Sequence, residues 1–223
     1  RNNKMNLWLK KVWKENKSLV VFVSLMLVFR SAVADWNDVP TGSMKPTIVE
    51  GDRILVNKMA YDIRVPFTHI SLLKMSDPQV GDIIIFDSEV ADKKLVKRVI
   101  GTPGDIISMT NNVLSINGQT LHYKTTKNNN SPVGYKDQTE QLNGVDHIVR
   151  LNNQGSQLSN FNAVTVPKGY YLALGDNRDN SADSRVIGFV PRNEIVGRSK
   201  KVVMSLDYDD YFLPRAERFL HSL

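Results

Sequence analysis

Beyond residue 39 the apolar side chains come in short or alternating runs, and each run is closed by Gly, Pro, Asn or Asp. That punctuation is the signature of an all-β fold, an antiparallel sheet with tight turns. It predicts strands over 53–56, 82–86, 95–100, 106–109, 113–116, 121–124, 164–166, 170–174 and 195–204. Asn111-Asn112 and Asn117-Gly118 mark two hairpin turns, because Asn and Gly tolerate the positive φ that two-residue turns require. Residues 125–162 are rich in Asn, Gln, Gly and Ser, with few apolar anchors, and read as an insertion of loops and weak hairpins. The tail, 207–210 and 215–221, carries aromatic residues among charges and is expected to form a short terminal helix.

The first 36 residues have a different character. Residues 1–17 carry six cations against Glu15, a net charge of +5, so the +6 of the whole chain leaves only +1 for the rest. A nearly neutral body argues against a nucleic-acid partner, whose phosphates would demand a basic face. Residues 19–29 then form an apolar run broken only by Ser24 and stopped by Arg30. Eleven residues are short of the roughly 20 a membrane helix needs, so a span over 18–36 requires 31–36 to continue the helix while Arg30 snorkels. Trp36 would then sit at the interface. The interleaving of Leu7, Trp8, Val12 and Trp13 with lysines suits a stretch lying on the membrane surface. A cleavable signal peptide ending at Ala32-Val33-Ala34 competes with the anchor, but Arg30 falls where a charge is unusual. The expected organisation is a basic cytoplasmic segment (1–17), a single-pass anchor (18–36) and one folded domain (37–223) across the membrane.

The chain has no cysteine, which excludes disulfides, a thiol nucleophile and Cys-ligated zinc. Its four histidines, His69, His122, His147 and His221, lie in no nucleophile-elbow or zinc-site context and are expected at the surface. Three other segments hold reactive groups in unusual settings. Thr41-Gly42-Ser43-Met44-Lys45-Pro46 is a constrained loop in which the Ser43 amide and the Thr41 hydroxyl can converge on one developing oxyanion. In the strand around Lys97-Arg98, alternation sends the two cations to opposite faces; a lysine turned inward loses its charge toward working pH and can deprotonate a serine. The third segment, 175–185, packs Asp, Asn and Ser with two Arg, a composition that ties a loop through Arg–carboxylate pairs. Its spacing lacks the alternate-residue ligands of a calcium loop. Taken alone, each segment is also an ordinary turn or strand edge.

Together and in this order, behind a basic and then apolar N-terminus, the segments resemble the type I signal peptidases. The nucleophile box is matched by Ser43-Met44 with Pro46, a structural strand by 81–86, and the lysine box by Lys97-Arg98 with Gly101, Pro103, Gly104 and Asp105; the final box is matched by 175–185. The resemblance implies Ser43 as nucleophile and Lys97 as its base. Thr41, where the family commonly has Ser, would join the Ser43 amide in the oxyanion hole. Ser181 would orient the Lys97 amine, an Asp183–Arg185 salt bridge would prop the site, and Gly175 and Asn177 would form the turn that reaches the dyad, with Arg98 among the supporting residues. The implied substrates are secreted preproteins cut after small residues at −1 and −3, with membrane lipid and the secretion translocon as partners and no cofactor or metal. A maturation protease dedicated to conjugative pilins would share the dyad. Self-cleaving repressor proteases also use Ser and Lys but need a DNA-binding domain. A non-enzymatic tethered β module would leave the three polar segments unexplained.

Overall fold

The structure, a computed structural model, describes residues 2–68, 70–126 and 131–223, with side chains from residue 12 onward. His69 and the side chains of Leu7 and Trp8 lie outside the described residues. The chain opens with helix α1 (Asn2–Ala32) and, after Val33 alone, enters strand β1 (Ala34–Asp38). There follow β2 (Asp52–Asn57), a small hairpin of β3 (Asp62–Arg64) and β4 (Ser71–Lys74), and then β5 (Ile83–Ser88) and β6 (Lys93–Gly101). Next come β7 (Ile106–Thr110), β8 (Val113–Ile116), β9 (Gln119–Thr120) and β10 (Tyr123–Thr125). The middle of the chain supplies β11 (Tyr135–Leu142), β12 (Val145–Asn152), β13 (Phe161–Thr165) and β14 (Tyr170–Leu174). The last elements are helix α2 (Ser184–Ile187), β15 (Val190–Pro191), β16 (Ile195–Asp207) and β17 (Leu213–Pro214).

The main sheet is antiparallel and runs β1-β2-β16-β5-β6-β14-β15, with β17 paired to β16. Its centre, β5, is buried on both faces: Ile83 and Ile85 enter one cluster with Val39, Met44 and Ile48, while Ile84 and Phe86 enter a second with Tyr61, Val99 and Tyr171. Strand alternation therefore divides one isoleucine run between two cores. A third cluster joins Ile107, Met109 and Leu114 to Leu142, Val166, Leu172 and Leu174. Both expected turns form, with positive φ at Asn111, Asn112, Asn117 and Gly118.

Four expectations about secondary structure are corrected. The helix does not continue to residue 36: Ala34 and Trp36 belong to β1, which pairs with β2 in register Ala34↔Asn57 to Asp38↔Arg53. No helix among the described residues is long and apolar enough to cross a membrane. The insertion is no weak hairpin, since β11 and β12 pair over eight residues each, bury Leu142, Val149 and Leu151, and turn at Asn143-Gly144 with both φ positive. The strand expected over 121–124 is split, because Leu121 and His122 lie between β9 and β10. The tail makes the β17 pairing and a single 3₁₀ turn, Ala216–Arg218, instead of a helix.

Candidate active site

Ser43 sits in a 3₁₀ turn, Gly42–Met44, that follows β1, and the turn is pinned from below by Met44, buried in the first core cluster. Lys97 lies in the middle of β6, opposite Ile84 of β5. The Lys97 Nζ donates to Ser43 Oγ at 2.7 Å and to the Val96 carbonyl at 3.0 Å, and only 2% of the lysine is exposed. Loss of hydration brings its pKa down to about 8, opposed by the negative charge of Asp183 and assisted by the positive charge of Lys93. An uncharged amine within hydrogen-bonding distance of an alcohol is the arrangement of a base and its nucleophile.

The two side chains open onto a groove of about 630 Å³, lined by Trp36, Val39, Thr41, Leu95 and Val96 among others. One wall is the outer edge of β6: β14 pairs with β6 only at Arg98, Val99 and Gly101, so among the described residues Lys93–Lys97 are paired on the β5 side alone. The other wall is the chain from β1 to Thr41, whose backbone is extended at φ −131°, ψ 150°.

The 175–185 segment braces this centre through carboxylates, as its composition predicted. Asp183 is fully buried; its Oδ1 accepts from Arg185 Nε at 2.8 Å, and its Oδ2 accepts from Arg185 Nη2 at 2.6 Å and from the Gly175 amide at 2.9 Å. Gly175 has no room for a side chain, since a Cβ there would stand 2.2 Å from Ser181 Oγ and 2.4 Å from the Ser43 carbonyl oxygen. The Asn177 amide donates to that same Ser43 carbonyl at 3.0 Å, and its Nδ2 donates to Gly42 O at 3.0 Å.

Alternation was expected to turn one of the two β6 cations inward, yet both are buried. Arg98 reaches Asp176 with Nε at 2.9 Å and Nη2 at 2.8 Å. Thr47 donates to the same carboxylate at 2.6 Å, which connects the chain just after the Ser43 turn to the final box. The guanidinium beside it, together with that hydroxyl, holds the Asp176 carboxyl below its ordinary range despite complete burial.

Two expectations fail here. Ser181 does not bond to Lys97: its Oγ is buried with no hydrogen-bond partner among the described residues. His147 is not at the surface, for its side chain is 8% exposed and its Nε2 lies 3.1 Å from Glu140 Oε1 without the alignment of a hydrogen bond. Sequence reasoning also left Asp176 and Glu140 without a role. Asp176 adjoins a recognisable glycine, so Arg98 could have been sought as its partner; Glu140 lies in a polar insertion and carries no local signal.

The order of these segments, their convergence and a family model agree. The model, described as signal peptidase, peptidase S26, matches residues 12–204. The chain belongs to that family. Among peptidase S26 relatives, the signal peptidase I of Pseudomonas fluorescens is 36% identical over 210 residues, covering 85% of this chain and 71% of its own length. That of Bacillus amyloliquefaciens is 33% identical over 191 residues, covering 85% and 84%. A signal peptidase I of Enterococcus faecalis V583, known from a crystal structure, is 30% identical and covers 56% of this chain and 98% of its own, with a TM-score of 0.36. As a peptidase S26 protein the chain is a hydrolase, a serine peptidase of the Ser/Lys type.

Proposed function

We propose that this chain is a membrane-anchored signal peptidase that cuts secreted preproteins after small residues at −1 and −3, with Ser43 as nucleophile and Lys97 as general base. The observation that carries the reading is the 2.7 Å contact between a buried lysine amine and the Ser43 hydroxyl. Ser43 Oγ attacks the scissile carbonyl carbon while its proton passes to the neutral Lys97 Nζ. The oxyanion that forms accepts from the Ser43 amide and the Thr41 hydroxyl. Collapse breaks the C–N bond, Lys97 returns the proton to the leaving amine, and water releases the acyl group by the same route in reverse. A groove between two unpaired strand edges suits an extended peptide, whose backbone can pair with them.

The membrane part of the reading rests on α1, where the apolar residues from Leu19 to Phe29 are all 41–64% exposed and the basic residues lie on the N-terminal side. An uncovered, continuous apolar surface on a helix supports a lipid partner, and the cation bias supports a cytoplasmic start with the β domain on the far side. Arg30, at the end of the run, is held by Asp35 at 2.7 Å and lies 4.6 Å above the Trp36 ring, so the charge is neutralised where the chain leaves the helix.

The test is cleavage of a general preprotein and of a conjugative pilin precursor in detergent micelles. Ser43→Ala and Lys97→Ala are each expected to abolish cleavage with circular dichroism unchanged; wild-type rates from either variant would overturn the dyad. Cleavage confined to the pilin precursor would narrow the substrate class to a dedicated one.

A further inference from the structure

The final box has little regular structure of its own, so its place is set by what flanks it. On one side, as described, Asn177 holds Gly42 and Ser43. On the other side lies the insertion: the Arg150 amide of β12 donates to Asp176 O at 2.8 Å, the Arg178 amide donates to Arg150 O at 2.9 Å, and the Asn152 amide donates to Asp179 Oδ2 at 2.9 Å. Residues 176–179 thus run along the edge of β12 as an irregular parallel strand, and Arg150 and Asn177 form a bridge. The nucleophile turn, the final box and the insertion are three layers of one hydrogen-bonded stack.

A side-chain lock joins two layers of that stack, the final box and the insertion. Arg178, wholly buried, donates Nη1 to Glu140 Oε2 and Nη2 to Glu140 Oε1, each at 2.7 Å, and Glu140 on β11 is equally inaccessible. Tyr123 on β10 donates its hydroxyl to the same carboxylate. A second two-pronged pair, Arg150 to Asp137 at 2.8 and 2.7 Å, ties β12 to β11 directly behind the bridge. Burial opposes charge on both members of the Glu140–Arg178 pair, but the hydrogen bonding is double and both side chains are inaccessible, so each keeps the other ionised. The carboxyl of Glu140 is accordingly held far below the usual carboxylate range by Arg178.

We infer that the insertion positions the nucleophile, and that Glu140 is the positioning residue through which it does so: Glu140 fixes Arg178, Arg178 fixes Asn177 against β12, and Asn177 fixes the carbonyl side of the Ser43 turn. Glu140 touches no reacting atom. The insertion, read from composition as loops, is on this view part of the machinery that keeps Ser43 Oγ at bonding distance from Lys97. The catalytic consequence rests on the Ser43/Lys97 reading above; the mechanical one does not.

The experiment compares the whole chain in detergent with Glu140→Gln and with the apolar double variant Glu140→Leu/Arg178→Leu, which removes the pair without stranding a buried charge. Amide hydrogen exchange is read at Asn177, whose amide bonds to Ser43 O, and at β5 and β16 as references. Preprotein cleavage is read as kcat, KM and the pH profile. Exchange at Asn177 is expected to quicken at least tenfold in both variants while β5 and β16 stay unchanged. The expected kinetics are a fall in kcat of at least tenfold, KM within twofold, and an acidic limb displaced upward as Lys97 regains water. A folded double variant with unaltered Asn177 exchange would overturn the inference, as would one with quickened exchange but wild-type kcat and pH profile. Quickened exchange in a protein whose wild type cleaves no preprotein would uphold the positioning and sink the peptidase reading instead.

Discussion

On the proposed mechanism, Lys97 sets the working pH. With its pKa near 8, roughly one amine in ten is neutral at pH 7. Only the neutral form can take the proton of Ser43, so kcat/KM is expected to rise about tenfold per pH unit below 8 and to level off above it, which a rate profile from pH 6 to 10 will check. Folding lowers this pKa from 10.5, so between about 8 and 10.5 the unfolded chain binds more protons and stability rises with pH across that window. Gly175 makes a sterner demand. A methyl group there would collide with Ser181 Oγ and Ser43 O, so Gly175→Ala is expected to cost about 1–3 kcal/mol in a denaturant melt and, by displacing the nucleophile turn, at least about 10²-fold in kcat. The segments that meet at this centre were legible only together, in the order that carries the family resemblance, since each alone also suits an ordinary turn or strand edge. Their long-range partners were not: Glu140 meets Arg178 across 38 residues, and the Lys97 amine bonds to Ser43 and the Val96 carbonyl instead of Ser181.

Among the elements, the strands of the two main clusters were readable because alternation and turn residues agree with the fold. β1 was missed for a physical reason: Ala34 and Trp36 suit the end of a membrane helix as well as they suit a strand, and only pairing with β2 decides between the two. The β11–β12 hairpin was undervalued because its exposed face is polar, although Asn143-Gly144 is the strongest short hairpin turn available. Its buried face is not ornamental. Leu142 is 1% exposed and packs in the cluster containing Ile107 and Leu114, so Leu142→Ala is expected to destabilise the protein by about 2–5 kcal/mol, measured by chemical denaturation. A change below about 1 kcal/mol would show that the insertion is a separately hinged appendage.

For the whole molecule, the boundary between helix and β domain falls at Val33, not at residue 36. Its carbonyl accepts from the Lys58 amide at 3.0 Å, and the sheet begins one residue later. Residues 33–223 are therefore expected to fold and stay in solution without detergent, whereas a chain starting at Val39 loses an edge strand and the wall beside Thr41, an outcome that sedimentation and circular dichroism will separate. With only Val33 between the helix and β1, there is no slack for the domain to swing. If α1 is fastened in a bilayer, the five residues of β1, about 16 Å of extended chain, act as a rigid strut, and Ser43 works at one fixed height above the lipid. The molecule would then gauge its targets by how far their scissile bond protrudes as well as by the residues around it.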